Sequence, residues 1–278
     1  METIELERET EQQIDVNFDF LQQSQQERAL ETAKSFEWVA KETLVVLVET
    51  EHSFAEDFQL CGMKMTDWVA LATSGCKHKV ISFVGEDEIL QAAKQYAGDF
   101  SYVAVLYNDI PLLKKQTFLD LMDYFAKRKM NVMRLERGFV FRSEYLENAQ
   151  ILLSGMVEKF GEEDFFVVDN AEKASHAFEV LNARIVDYHK KDGVVFFGEN
   201  TIFVDVDVQI ESGAIIYPNN IIKGQSYIGK NVVLESGNYI VDSAICDGAK
   251  VCQSYIKNSV VEKKKNIGPF ENLTNVKV

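Results

Sequence analysis

The sequence predicts an α/β domain with a mostly parallel sheet, followed by a short left-handed parallel β-helix of hexapeptide repeats. Two observations carry that expectation. Strand-like apolar runs alternate with helical patterns over roughly the first 200 residues, the arrangement of parallel-sheet domains. From Val204 onward an aliphatic residue then returns at every sixth position, a period that neither an ordinary strand nor an α-helix produces.

The elements follow in chain order. Residues 1–23 are rich in Glu and Gln and carry few apolar anchors, as expected of a frayed or partner-dependent segment. Ser24 and Glu27 have the spacing of a capping box, and Ala29, Ala33, Phe36 and Ala40 mark one face of the helix it would open. Thr43–Val48 is a continuous apolar strand of the buried parallel kind. Helical patterning around Met65–Thr73 leads to a strand at Lys79–Val84, and a helix near Glu88–Tyr96 leads to a strand at Tyr102–Tyr107. A helix over 117–128 precedes two short strands, Asn131–Leu135 and Phe139–Phe141. A helix over 171–191 enters the repeat. The predicted division is a polar and helical extension over 1–42, an α/β domain over 43–192 and a β-helix domain over 193–278.

In the repeat, Val204, Ile210, Ile216, Ile222, Ile228, Leu234 and Ile240 keep unbroken register. Each hexad forms one side of a triangular prism, so residues 18 apart should stack. The inward aliphatic fills the prism. The corner two positions earlier carries residues of modest size: Val208, Ala214, Asn220, Ser226, Val232 and Asn238. Beyond Ile240 the register slips through Ile245, Val251, Ile256, Val261 and Ile267, giving about three and a half coils. Open ends of such a stack call for capping or a partner, so a homo-oligomer, trimer or dimer, is expected.

Composition narrows the function. A net charge of −15 argues against nucleic-acid binding, which needs clustered Lys and Arg. Lys263, Lys264 and Lys265 read as a solvated turn. No apolar run approaches the roughly 20 residues of a membrane span, and the acidic start is unlike a secretory signal. The four cysteines, Cys61, Cys76, Cys246 and Cys252, show no paired motif and read as free thiols of a cytoplasmic protein. In an open α/β sheet, ligands bind beyond the carboxyl ends of the strands. Asp109 sits there, in Tyr107-Asn108-Asp109-Ile110-Pro111-Leu112. It reads either as a carboxylate for a divalent cation or as a turn aspartate ahead of a proline.

The strand ending in Y-N-D-I-P-L-L, the later Asn182-Ala183-Arg184-Ile185 and the repeat through Asn266–Phe270 resemble a known family. It is the bifunctional N-acetylglucosamine-1-phosphate uridylyltransferase/glucosamine-1-phosphate acetyltransferase family. Leu60–Met65 also resembles the family's stretch after its nucleotide loop. The resemblance covers roughly residues 43–273, in broken pieces at first and nearly continuously from about Glu172. It implies a reduced Rossmann-like nucleotidyltransferase-type sheet ahead of the β-helix. It also implies a Mg²⁺ held by the positions matching Asp109 and Asn182, with a nucleotide or nucleotide sugar as ligand. On pattern alone Asn182 reads as a capping or packing residue.

The departures are as informative. The family's glycine-rich L-A-A-G-x-G-T-R-M loop cradles phosphate with backbone N–H groups and an arginine. Here the first strand runs into Glu49-Thr50-Glu51-His52-Ser53-Phe54, without glycine or arginine. The family's phosphate-binding lysine has no counterpart near Ala55-Glu56-Asp57. Its uracil-reading stretch is replaced by Val84-Gly85-Glu86, and its N-x-G motif has become Arg137-Gly138. Losing one preorganised donor costs about 10²–10³ in rate, so losing the whole cradle should remove most uridylyl transfer. None of His52, His78, His176 or His189 lies in the repeat, and the sequence ends eight residues beyond Phe270, so no acetyltransferase activity is expected.

The expectation is therefore a nucleotidyltransferase-like pseudoenzyme with a nucleotide-sugar-binding, regulatory or scaffold role. One alternative is an active Mg²⁺-dependent sugar-1-phosphate nucleotidyltransferase, for which His52, Lys64 and Arg137 are the candidate basic groups. Another is a partner protein for a full-length uridylyltransferase.

Overall fold

The computed structural model describes residues 36–50, 54, 58–82, 85–146, 157–161 and 163–278. The capping box at Ser24–Glu27, His52 and the stretch Ala55–Asp57 lie outside them. The described residues fall into two compact units. One contains the α/β sheet and extends to Ala177, apart from Cys61–Met63; the other contains Cys61–Met63 and Phe178–Val278.

The α/β unit begins with helix α1 (residues 36–42). It continues with β1 (Thr43–Glu49), α2 (Met65–Ala72), β2 (Lys77–Ser82), α3 (Glu86–Tyr96), β3 (Tyr102–Tyr107) and α4 (Lys115–Lys127). The chain then forms β4 (Val132–Leu135), β5 (Gly138–Arg142), α5 (Ser143–Leu146) and β6 (Val157–Glu158). The sheet order is β2-β1-β3-β5-β4-β6. Strands β1, β2 and β3 run parallel, while β4 and β5 form a hairpin that pairs antiparallel with β3.

Strands β1 and β3 are central and buried on both faces, which explains their nearly uninterrupted aliphatic sequences. One face packs Val45, Leu47, Ala104 and Leu106 against Phe118, Leu121, Met122 and Phe125 of α4. The other packs Val46, Val48, Val103 and Val105 with Ile89, Leu90 and Ala93 of α3. The turn of the β4–β5 hairpin is Glu136–Arg137. Gly138 follows with φ +140°, and a Cβ there would stand 2.3 Å from the Val105 carbonyl oxygen. Only glycine lets β5 start so close to β3, and that start fixes the position of Arg137.

Helix α6 (Ala171–Lys191) leads to the β-helix, whose strands are β7 (Val195–Phe196), β8 (Phe203–Val204), β9 (Gln209–Ile210), β10 (Ile215–Ile216), β11 (Ile221–Lys223), β12 (Tyr227–Ile228), β13 (Val233–Leu234), β14 (Tyr239–Val241), β15 (Ala244–Ile245), β16 (Lys250–Val251), β17 (Tyr255–Lys257), β18 (Val260–Val261), β19 (Asn266–Ile267) and β20 (Asn272–Thr274). They form three parallel sheets of five, five and four strands, the sides of a left-handed prism. The period-six aliphatics from Ile216 to Ile240 are fully buried.

The prism is longer than the repeat in the sequence. Phe196 stacks on Ile216 and Leu273 on Ile256. Phe196 escapes the period because the 3₁₀ turn Glu199–Thr201 lengthens its coil. Early coils hold 18 residues, as in Ile222 against Ile240. Later coils hold 16 or 17, as in Ile240 against Ile256 and Leu234 against Val251. The slip has a local cause. The corner made by Gly224 and Gln225 is turned by a single left-handed residue in the next coils, Asp242 (φ 46°) and Asn258 (φ 47°). Asp and Asn tolerate that conformation better than other side chains, so each such corner drops one residue without breaking the stack.

Candidate functional site

The place where an open α/β sheet forms its ligand crevice, the carboxyl ends of β1 and β3, lies within the α/β unit. Asn108 and Asp109 emerge directly from β3, and the backbone secures both. The Asn108 N–H donates to the Val48 carbonyl (2.9 Å), and the Asp109 carbonyl accepts from the Val168 N–H (2.7 Å). Both side chains are buried, each residue 4% exposed, so each requires a partner.

Asn108 finds its partners at the end of β1. Its Oδ1 accepts from the Thr50 N–H (3.1 Å) and from Thr50 Oγ1 (3.0 Å). Its Nδ2 donates to Thr66 Oγ1 (3.4 Å), and that hydroxyl donates to Glu49 Oε1 (3.0 Å). Glu49, Thr50, Thr66 and Asn108 thus form a continuous network across the place where a phosphate-binding loop would begin.

Asp109 is taken by Arg137. Arg137 Nε lies 2.9 and 3.0 Å from the two carboxylate oxygens, and its Nη2 adds a second short bond to Oδ2. The guanidinium also lies over the Tyr107 ring, 4.0 Å from its centroid. Burial works against the charge on Arg137, but Asp109, with Tyr107 and Asp169, outweighs it and raises the pKa above its ordinary value. Asp169 is itself paired with Lys173 at 2.8 Å. A bidentate pair stacked on an aromatic ring is an arrangement specific to arginine.

Asn182 belongs to the β-helix unit. Its Nδ2 donates to the Ile202 carbonyl (2.9 Å), and its Oδ1 accepts from the Val204 N–H (3.0 Å). Both halves of the amide therefore bind the first coil of the prism. Lys64 is exposed at the amino end of α2, where its carbonyl accepts from the Trp68 N–H (3.1 Å). The structure brings Arg137 to Asp109, and among the described residues no contact joins Lys64 to that pair.

The donors implied for Mg²⁺ therefore fit it poorly. Both Asp109 oxygens and the Asn182 amide oxygen already accept bonds from the protein. Among the described residues no group of three or more His, Cys, Asp or Glu gathers to hold a metal. Sequence reasoning did not anticipate the roles of Thr50, Thr66, Asn108 and Tyr107. The one available signal was the position of Asn108 and Tyr107 beside Asp109 at a strand end.

No protein-family model matches the chain. Several curated proteins do. It is 34% identical to the bifunctional protein GlmU of Streptococcus thermophilus over 134 residues, 48% of this chain and 28% of that protein. It is 35% identical to that of Shouchella clausii over 106 residues, 38% of this chain and 23% of that protein. It is 34% identical to that of Clostridium beijerinckii over 131 residues, 45% and 29% of the two chains. The matched stretch thus spans less than a third of the length of these relatives.

Proposed function

Because the chain is related to the bifunctional protein GlmU over just under half its length, we propose that it is a nucleotidyltransferase-related protein that does not transfer. Its crevice serves recognition or regulation, and its β-helix assembles copies of the chain. The observation that carries this reading is the Thr50 N–H donating to Asn108. In the family the first strand resembles, backbone N–H groups beyond the strand cradle the nucleotide phosphates. Here the described end of that strand is Glu49 and Thr50, and the protein's own amide occupies the Thr50 donor. A carboxylate and a satisfied amide offer nothing to a developing negative charge, and preorganised donors there are worth about 10²–10³ in rate each.

Assembly is supported by the outward column of one prism face. Phe203, Ile221, Tyr239 and Tyr255 lie in register on successive coils. The Tyr239 and Tyr255 rings stack at 5.6 Å. Three of these four residues, Phe203, Tyr239 and Tyr255, are large hydrophobics exposed in the single chain. A trimer or a dimer would cover them.

Titration of the full chain with UTP and with UDP-N-acetylglucosamine in Mg²⁺, beside an assay for pyrophosphate from UTP and N-acetylglucosamine-1-phosphate, tests the reading. No pyrophosphate is expected. Heat with the nucleotide sugar alone would assign the crevice to recognition; no heat would leave the assembly role. Pyrophosphate release that Asp109→Asn abolishes would overturn the proposal.

A further inference from the structure

We infer that Arg137 is a built-in cation that holds the position a divalent metal would take on Asp109, so that this carboxylate is closed to metal ions. The inference rests on the proposed reading of a non-transferring crevice and assigns the residue that closes it. Asp109 is 4% exposed just beyond a strand whose last five residues are buried, and a carboxylate so placed must be neutralised. Three features make Arg137 the permanent neutraliser. The pair is bidentate, with Nε within 3.0 Å of both oxygens. The guanidinium is held from its other side by the Tyr107 ring at 4.0 Å. Its backbone is set by a two-residue hairpin turn that closes on Gly138, where no side chain fits.

A metal ion entering here would have to displace a cation that is already partly buried and held on two sides. Among the described residues no group of three or more His, Cys, Asp or Glu gathers to ligate it, and a single carboxylate is a poor site for an ion that prefers several oxygens. Exclusion by a tethered charge also accounts for the side-chain type. Lysine would give a point charge without the fork, and a neutral side chain would leave Asp109 charged and alone.

The test is thermal unfolding of the full chain with and without 10 mM Mn²⁺, roughly ten times a weak millimolar affinity. Wild type is expected to show no Mn²⁺-dependent change that Asp109→Asn removes. Arg137→Gln is expected to unfold at lower temperature and to recover about 2–4 °C with Mn²⁺, because the ion replaces the lost charge. The double variant Arg137→Gln with Asp109→Asn should lose that recovery. Arg137→Lys, which keeps a cation beside Asp109, should stay insensitive and serves if the glutamine variant does not fold. A Mn²⁺-dependent rise in wild type that depends on Asp109 would overturn the inference, as would an Arg137→Gln variant that ignores the ion. A lysine variant that responds to Mn²⁺ would overturn it as well. Pyrophosphate release by wild type would instead defeat the non-transferring reading, and a Mn²⁺-insensitive wild type would keep Arg137 in its role.

Discussion

At the scale of single residues, the chain shows how burial decides what an ionisable group can do. His189, near the end of α6, is 4% exposed. Burial pushes its pKa down to about 4, with a hydrogen bond to the Val208 backbone opposing the shift. The imidazole is therefore neutral in the folded protein at pH values where the unfolded chain protonates it. Between about pH 6.5 and pH 4 the unfolded state binds more protons, so stability rises with pH across that window. The contribution is complete above about 6.5 and disappears as pH falls toward 4, amounting to about 3 kcal/mol in all. His189→Gln should flatten this part of the profile, read as the difference in urea midpoint between variant and wild type at pH 7.5 and pH 4.5. An unchanged difference would mean that His189 does not govern the window. The sequence could not have shown this, because His189 lies in a helix whose pattern is equally consistent with an exposed imidazole. Asp109 was legible for the opposite reason: a carboxylate after a buried parallel strand stands where ligands bind. Its partner was less legible. Arg137 is 28 residues away in sequence, and only the hairpin turn and Gly138 bring it to the strand end.

At the scale of elements, the corners of the β-helix are ladders of polar side chains that the aliphatic period does not reveal. Asn220 and Asn238 occupy equivalent corners on successive coils. Asn238 Nδ2 donates to Asn220 Oδ1 (2.9 Å) and to the Glu235 carbonyl (2.6 Å), and its Oδ1 accepts from the Ser254 N–H (3.0 Å). A second corner stacks Ser226, Ser243 and Ser259, with each hydroxyl accepting the backbone N–H of the next (3.3 and 3.1 Å). Asn238→Ala would strand the buried Ser254 N–H, while the Glu235 carbonyl would keep its second donor, Asn220 Nδ2 (3.0 Å). At about 1–3 kcal/mol for a buried group left unsatisfied, the expected loss is about 1–3 kcal/mol by denaturant unfolding. Asn238→Ser should lose less, since serine performs the same task at Ser243 and Ser254. Equal losses for the two variants would show that the ladder is not what stabilises this corner. The inward aliphatics declared the element. Six-residue periodicity failed beyond Ile240 because left-handed Asp242, Gln253 and Asn258 each shortened a corner, a conformational fact that residue type only hints at. In the α/β unit, β1 and β3 were legible from their apolar runs, while the two-residue β6 pairs with β4 and is too short to show a period.

At the scale of the whole molecule, the prism face bearing Phe203, Ile221, Tyr239 and Tyr255 tests the proposed assembly. Aromatic side chains bury large apolar areas, and such residues dominate the energetics of interfaces. Tyr239 and Tyr255 point outward from a rigid ladder, so charge placed on them should act on association and leave the prism core intact. The inward neighbours Ile240 and Ile256 are fully buried on the opposite face of the same strands. Tyr239→Glu combined with Tyr255→Glu would set carboxylates in register on adjacent strands of each copy, and like charges directly opposed destabilise a pairing. At an interface of two or three copies the repulsion multiplies, while in the free chain solvent screens it. Sedimentation equilibrium of wild type at micromolar concentration is expected to give a dimer or a trimer, and the double variant a monomer with an unchanged far-ultraviolet spectrum. A wild-type monomer at those concentrations would refute assembly through the prism. An oligomer that survives the two glutamates would move the interface to another face, because no packing of the Tyr239–Tyr255 column against a copy of itself could bury four new charges without partners.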